Sequence, residues 1–439
     1  MPLSPLLPEP ITYSLVPNEP PFALSAGISI VTAHGAARGE WLAARAVRAA
    51  VSAQGVDVPL QPQIRCPDSR RTIVLAVRGR DESVFPDAPP PNQWPAGDSA
   101  ESYVLSVGGD RVVVWGAGSE GLVQGTRTLC QLIAGSTGAL SAVRIADAPA
   151  MPWRGVMLDI SRGKVPTLET LFHLVDGLCT YKVNMLQLYT EHTLTSRRHP
   201  RIGQNSGALS TEDIVALDRY CRDRYIELVP CLQSFGHMRG ILELPEYAAL
   251  AESESLWSFS PTNDAVYQLL DDLYADYLAC FSSRYLNVCS DETYDLGLGQ
   301  SREAAEHEGT GRLYLGHILR LHRLAANYGR TIMVWDDIFL HHPELAAEIP
   351  KDVILLNWEY EAQDDYPQVN GFHEVGLRQM VCPGTSSWNS LFPRLANGRA
   401  NIRNFVTAGV RVGALGVLNT DWGDGGHHNL LGCSWYGYA

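Results

Sequence analysis

DAPAMPWRGVMLDI, residues 147–160, divides the chain into two kinds of pattern. Its prolines break helix and ladder alike, which marks a boundary. Immediately after them, GVMLDI (155–160) reads as a short, mostly apolar strand. The same reading repeats downstream, in NMLQLY (184–189), ELVPCL (227–232), YLNVC (285–289), TIMVWD (331–336), VILLNW (353–358), QMVCPG (379–384) and ALGVLNT (414–420). Amphipathic helical segments separate most of them, among them TLETLFHLVDGLCTYK (167–182), TEDIVALDRYCRDRY (211–225) and NDAVYQLLDDLYADYLACF (263–281). Buried strands alternating with helices eight times over predict an α/β fold, a (β/α)8 TIM barrel. A doubly wound open sheet would need a Gly-rich phosphate loop, and no such loop is visible.

Working outward from the boundary, residues 1–150 read as a small α+β N-terminal domain without catalytic groups. GISIVTAH (27–34) and TIVLAVRG (72–79) are strands, and GEWLAARAVRAAVSAQ (39–54) is a helix. ESYVLSVGGDRVVVWGAG (101–118) is a hairpin about Gly108-Gly109-Asp110, and SEGLVQGTRTLCQLIAGS (119–136) is a second helix. PDAPPPNQWPAGD (86–98) is too rich in proline for either element and reads as a loop. Residues 151–439 form the barrel domain. Its last helix looks incomplete, because little follows the eighth strand beyond LLGCSWYGYA (430–439).

Bulk properties narrow the partners. The 439 residues are too many for one ordinary core and fit two domains. Hydrophobic residues make up 45% of the chain, as in a folded soluble protein. The formal net charge is −14 and no Lys/Arg cluster tracks phosphates, which argues against nucleic acid. No segment is long and apolar enough to span a membrane, so no membrane partner is expected. MPLSPLLPEP (1–10) lacks the basic and apolar regions of a signal peptide. The nine cysteines are odd in number, scattered, and without CxxC spacing. Together these predict a reducing, cytoplasmic location. A homodimer is one open assembly state.

In a barrel of this kind, side chains at the C-terminal strand ends face the active site. Those ends carry Asp159 and Arg162, Glu191 and His192, Ser234 and His237, Asp291 and Glu292, Trp335, Asp336 and Asp337, Trp358, Glu359 and Tyr360, Trp388 and Asn389, and Asp421, Trp422 and Asp424. Carboxylates supply acid–base chemistry. Tryptophans supply flat apolar walls that suit the C–H face of a sugar ring. The combination points to carbohydrate. In the adjacent pair Asp291-Glu292, mutual repulsion is expected to raise one pKa and keep that group protonated. The bland alternative is a solvated pair, or a helix cap followed by a first-turn acid. Arg162 can fork two hydroxyls or make an ion pair with Asp159. His237 reads as a proton-network partner, a metal ligand or a satisfied structural histidine. The pairs His341-His342 and His427-His428 lack the i, i+4 spacing of a helical zinc site, so neither metal nor cofactor is expected.

MPWRGVMLDISRG (151–163), NMLQLYTEHT (184–193), ELVPCLQSFGH (227–237), LNVCSDET (286–293) and VWDD (334–337), taken together, resemble glycoside hydrolase family 20, the β-N-acetylhexosaminidases. The resemblance covers both domains and implies exo-hydrolysis of a terminal N-acetylhexosamine. It implies Glu292 as general acid/base and Asp291 as the group that orients the substrate's 2-acetamido function. Arg162 would bind outer hydroxyls, and His237, with Glu191, would back Glu292. Trp335 and Trp358 would wall the acetamido pocket, and Asp421 would bind outer hydroxyls. The mechanism implied is substrate-assisted and retaining, with the acetamido oxygen as nucleophile. Departures from the family pattern are Asn287-Val288-Cys289-Ser290 before the pair and Gly163 after Arg162. Trp388 stands where a tyrosine hydroxyl would meet the acetamido oxygen, with Tyr360 or Tyr294 as substitutes. Asn419 stands where a tryptophan would, with Trp422 nearby. Two alternatives stay open: a glycosidase for another sugar, and a sugar-binding barrel without catalysis.

Overall fold

The computed structural model describes residues 6–63, 71–97, 99–336, 339 and 342–426. Asp337, His341, the His427-His428 pair, Cys66, Cys433 and the expected closing helix lie outside the described residues. The chain divides into two compact units. One comprises Met1–Ala150 with Asp176–Lys182 and Arg222–Tyr225; the other comprises Met151–Val175, Val183–Cys221 and Ile226–Ala439.

The first unit holds strands β1 (Thr12–Leu15), β2 (Phe22–Ala23), β3 (Ser29–Ala33), β4 (Leu60–Gln63), β5 (Thr72–Val77), β6 (Tyr103–Val107), β7 (Arg111–Gly116), β8 (Ala139–Leu140) and β9 (Val143–Asp147). Seven of them form one mixed sheet in the order β1-β9-β6-β7-β5-β3-β4. Strand β5 is buried at all six positions because both sheet faces are covered. Ile73, Leu75 and Val77 share a core with Ala44, Val47 and Val51 of the helix Arg38–Ala53 and with Leu122, Leu129 and Ile133 of the helix Ser119–Ala134. Val74 and Ala76 point the other way, against Phe85, Val84, Ala88 and Trp94. The described part of the Pro-rich stretch, residues 86–97, therefore covers the second face, with one short 3-10 turn at Pro91–Gln93.

The second unit is the barrel. Strands β10 (Trp153–Asp159), β11 (Met185–Thr190), β12 (Glu227–Leu232), β13 (Tyr285–Asn287), β14 (Thr331–Trp335), β15 (Ile354–Trp358), β16 (Arg378–Cys382) and β17 (Gly416–Asp421) are all parallel and close in sequence order. Closure comes from β10 on β17, with Trp153 opposite Gly416 and Leu158 opposite Asp421. The (β/α)8 expectation holds, with strand bounds within a few residues of the apolar runs. Alternation along each strand sends one set of side chains inward. That set is rich in sulfur: Met157, Met185, Met333 and Met380 pack with Cys231, Cys289 and Cys382. One polar rung crosses the interior, where Asn287 Nδ2 donates to Gln187 Oε1 at 2.9 Å.

Strand β13 is the short one, and its early end shapes the site. Beyond it, Cys289, Ser290 and Glu292 adopt φ of 56°, 75° and 51°. Left-handed backbone is costly for such residues, by about 1–3 kcal/mol each, and persists only where neighbours hold it. Four neighbours do. Cys289 N–H donates to Asn287 Oδ1 (2.9 Å), Ser290 N–H to Gln233 Oε1 (2.8 Å), and Tyr314 O–H to the Ser290 carbonyl (2.9 Å). Val288 N–H reaches the Met333 carbonyl on β14, also at 2.9 Å.

Candidate active site

The turn after β13 buries Asp291 and Glu292 unequally. The Asp291 side chain is 10% exposed, while that of Glu292 is 36% exposed. No helix begins there; the next starts at Arg302, so the helix-cap reading of the pair falls away. Gln233, just past β12, clamps Asp291 by donating from Nε2 to Oδ1 at 2.8 Å. Its Nε2 also lies 3.1 Å from the Tyr189 hydroxyl. Gly236 lets the β12 and β13 turns meet. A Cβ at that position would stand 2.3 Å from the Asp291 carbonyl oxygen.

His237 follows at once, itself at φ 56°. Its Nε2 sits between the two carboxylates, 3.3 Å from Asp291 Oδ2 and 3.4 Å from Glu292 Oε2. Its Nδ1 is 3.0 Å from Arg162 Nη2 and 3.9 Å from Glu191 Oε1. Burial pulls the imidazole pKa down, but the charge of Asp291 and hydrogen bonds to Asp291 and Glu292 outweigh that, pushing it up to about 10 against the opposition of Arg162.

The same contacts reverse the expectation for the pair. Mutual repulsion was expected to keep one carboxyl protonated, yet both lie below their ordinary range. Glu292 is lowered first by its hydrogen bond to His237, with Tyr294 adding to it against burial. Burial raises Asp291, but the charge and hydrogen bond of His237 and the bond from Gln233 overcome it. A cation shared by two anions decides the matter; sequence adjacency does not. The raised carboxyls are Glu191 and Asp424, each pushed up by burial.

Arg162 anchors the opposite wall. Nη1 pairs with Asp159 Oδ2 (2.8 Å), Nη2 with Glu191 Oε1 (3.1 Å) and Nε with Asp424 Oδ1 (3.3 Å). The ion pair with Asp159 and a place at the site thus coexist. Its guanidinium lies 4.9 Å from the Tyr189 ring centroid and 5.3 Å from that of Trp422, within cation–π range.

These groups border one open cavity, lined by Arg162, His237, Asp291, Glu292, Trp335, Trp358, Tyr360, Trp422 and Asp424. Trp335 and Trp422 meet at 5.8 Å and Trp358 stacks on Tyr360 at 5.1 Å. Tyr360 accepts a hydrogen bond from Trp422 Nε1 at 2.7 Å, and its hydroxyl also meets the Thr420 side chain. Tyr294 lies outside, 69% exposed.

Three expected site residues stand off the cavity. Glu191 sits behind it, accepting from the Tyr189 hydroxyl at 3.0 Å. Trp388 lies against the far side of Tyr360, edge to face at 5.0 Å. Asp421 is fully buried, with Oδ1 taken by the hydroxyls of Thr385 (2.6 Å) and Ser387. It ties β17 to the loop after β16, and Asp424, three residues on, is the carboxylate that lines the cavity. Trp422, not Asn419, supplies the tryptophan there; Asn419 is buried within β17. Tyr189 escaped notice because an aromatic residue in an apolar run carries no signal of its facing, and Gln233 because it lies just past such a run.

The family model described as glycosyl hydrolase family 20, catalytic domain, matches residues 151–388. The model of that family's domain 2 matches residues 4–148. A beta-hexosaminidase 1 of Coccidioides posadasii is 22% identical over 296 residues, covering 59% of this chain and 49% of that protein. The chain thus spans about half the length of that curated relative. Among solved structures, a chitobiase of Flavobacterium johnsoniae superposes with a TM-score of 0.73 at 18% identity, over 95% of this chain and 65% of that one. An exo beta-N-acetylglucosaminidase of Vibrio harveyi, in complex with N-acetylglucosamine, gives 0.73 at 15% identity, over 95% and 69%. At those identities the likeness is one of fold.

Proposed function

The chain belongs to glycosyl hydrolase family 20, and we propose that it hydrolyses a terminal, non-reducing N-acetylhexosamine from a carbohydrate with retention of configuration. The observation that carries this reading is the unequal exposure of two adjacent carboxylates that line one cavity. Asp291 is buried beside Trp335, Trp358 and Trp422, while Glu292 in the same lining is partly open to solvent. Two carboxylates facing each other across a glycosidic bond would fit a nucleophile and an acid. Two neighbours that serve different atoms of one sugar fit a substrate that supplies its own nucleophile.

In this mechanism the acetamido oxygen attacks the anomeric carbon, and the bond to the leaving oxygen breaks as Glu292 delivers a proton to it. The product of that step is an oxazolinium ion. Asp291, held as an anion by His237 and Gln233, accepts the amide N–H and balances the positive charge that develops there. Water, deprotonated by Glu292, then opens the ring. In the free site Glu292 is held below its ordinary range by His237, 3.4 Å away. Bound substrate displaces water from Glu292 and raises its pKa. Arg162 and Asp424 bind outer hydroxyls. The occupied neighbour from Vibrio harveyi supports the choice of sugar. A cytoplasmic location belongs to the proposal on the cysteine usage, and a homodimer stays one open assembly state that light scattering tests.

Nitrophenol release from the N-acetyl-β-glucosaminide and -galactosaminide, set against the unacetylated glucoside, is the test. Turnover of the acetylated pair is expected, with Glu292→Gln abolishing it on poor leaving groups. Turnover of the unacetylated glucoside alone would sink the proposal in favour of another specificity. Tight binding of a thiazoline mimic without hydrolysis would favour a sugar-binding barrel.

A further inference from the structure

The loops that carry His237 and the acid pair are also held from behind, by residues that take no part in the proposed mechanism. The helix Thr310–Asn327 buries Tyr314 and His317, three residues apart and so on one face. Tyr314 O–H donates to the Ser290 carbonyl, directly before Asp291, at 2.9 Å. His317 Nε2 lies 3.0 Å from the carbonyl of Ser234, three residues before His237. A carbonyl only accepts, so Nε2 carries the ring proton. Nδ1 is then the acceptor for the Tyr267 hydroxyl, 2.8 Å away. Burial pushes the imidazole pKa down to about 3; the bond to Ser234 opposes this and the charge of Arg320 adds to it, so the ring stays neutral. Phe235 fills the gap between the two contacts, stacked on His317 at 3.9 Å and 5.6 Å from Tyr314. None of these three rings lines the cavity.

We infer that His317 and Tyr314 are positioning residues, which set the spacing between His237 and the Asp291-Glu292 pair by fixing the Ser234 and Ser290 carbonyls against one helix. The inference rests on the proposed function. Packing alone would favour apolar side chains at both positions, because burying a polar group is costly unless it is bonded. What the polar pair adds is direction. Each bond fixes one carbonyl, and with it the peptide plane from which the loop runs on to the site. Gln233 ties the same two loops nearer the cavity, through Asp291 Oδ1 and the Ser290 N–H. The helix supplies the second pair of ties, so the loops cannot turn about Gln233 as a hinge. The tolerance is small. His237 Nε2 stands 3.3 and 3.4 Å from the two carboxylates, at the long edge of hydrogen-bond range, where a few tenths of an ångström decide whether a bond is made.

The test joins steady-state kinetics on a β-linked N-acetylglucosamine disaccharide, whose alkoxide leaving group needs its proton, to the NMR titration of His237. That ring is faced by Arg162, Tyr189, Glu191, Asp291, Glu292 and Asp424. Asp291 and Glu292 are what raise its pKa, so the titration reports their distance. His317→Phe keeps a ring against Phe235 and loses the bond to Ser234. It should lower kcat about three- to tenfold, the range of one hydrogen bond, with KM level. It should also bring the His237 pKa down. Tyr314→Phe removes the other tie and should repeat both changes. His317→Gln can donate to the same carbonyl and accept from Tyr267, so it should restore most of both. An unchanged kcat in the two Phe variants overturns the inference. So does a loss that His317→Gln leaves unrestored, or one with the His237 titration unmoved, since either would mark packing alone. If the unaltered protein cleaves no N-acetylhexosaminide, the proposed function fails and the titration alone decides. A downward shift in the Phe variants, reversed in His317→Gln, supports the positioning role; an unmoved titration overturns it.

Discussion

Gln233 is the residue through which the two halves of the central turn are fixed, since it donates to Asp291 and accepts from Ser290. A hydrogen bond to a charged group is worth about 1.5–3 kcal/mol. Gln233→Leu should therefore lower kcat/KM roughly ten- to hundredfold. It should also move the acidic limb of the pH profile upward, because Asp291 loses a bond that favours its anion. A drop in rate with an unmoved acidic limb would mark Gln233 as structural only. His237 gives a second pH prediction. Its pKa rises from about 6.5 unfolded to about 10 folded. The stability it contributes is complete below pH 6.5 and is lost as pH rises towards 10. The unfolding free energy of the protein minus that of His237→Asn should shrink across that window; a flat difference would refute the assignment. At this scale, residues at strand ends were legible in the sequence because the barrel dictates where such ends point. Trp335 and Trp358 were found that way. Past a strand end a loop has no period, so residue type and the family resemblance had to stand in for facing: they found Arg162 and His237, but preferred Asp421 to Asp424, although the last β17 position turns inward to the protein and the later one faces the cavity.

The barrel strands themselves were legible for a physical reason. Parallel strands covered on both sides are apolar throughout, so each stands out as a run. The N-terminal sheet showed where this stops. Strand β1 (TYSL) is short and mostly exposed, and β4 (LQPQ) carries a proline at the sheet edge, so neither has a pattern to read. Nor could the sequence show that Gln187 and Asn287, polar letters inside two apolar strands, find each other across the barrel. Removing one partner leaves the other buried and unpaired, at about 1–3 kcal/mol. Gln187→Met should lower thermal stability by about that amount and leave the turn intact. Asn287→Leu should cost stability and activity together, because Asn287 Oδ1 also holds the Cys289 N–H at the head of the turn. Equal activity losses in the two variants would show that the rung, not the turn, governs the site.

For the whole molecule, charge is the property that reaches furthest. A net −14 at pH 7 repels anionic substrates. The cations in the cavity wall are already matched, Arg162 by Asp159, Glu191 and Asp424, and His237 by Asp291 and Glu292. KM for a sulfated N-acetylhexosaminide should therefore fall as ionic strength rises from about 0.01 M to about 0.15 M, where the screening length shortens from about 30 to about 8 Å. KM for the neutral sugar should stay level, and a parallel change in both would refute the electrostatic account. A different reach belongs to Gly236, whose missing side chain lets two loops touch. Every single-base change in a glycine codon that alters the residue adds a side chain. The position is therefore closed to gradual drift: descendants of this sequence that keep the paired acids inherit the glycine, and a lineage that loses it has given up the turn that aims them.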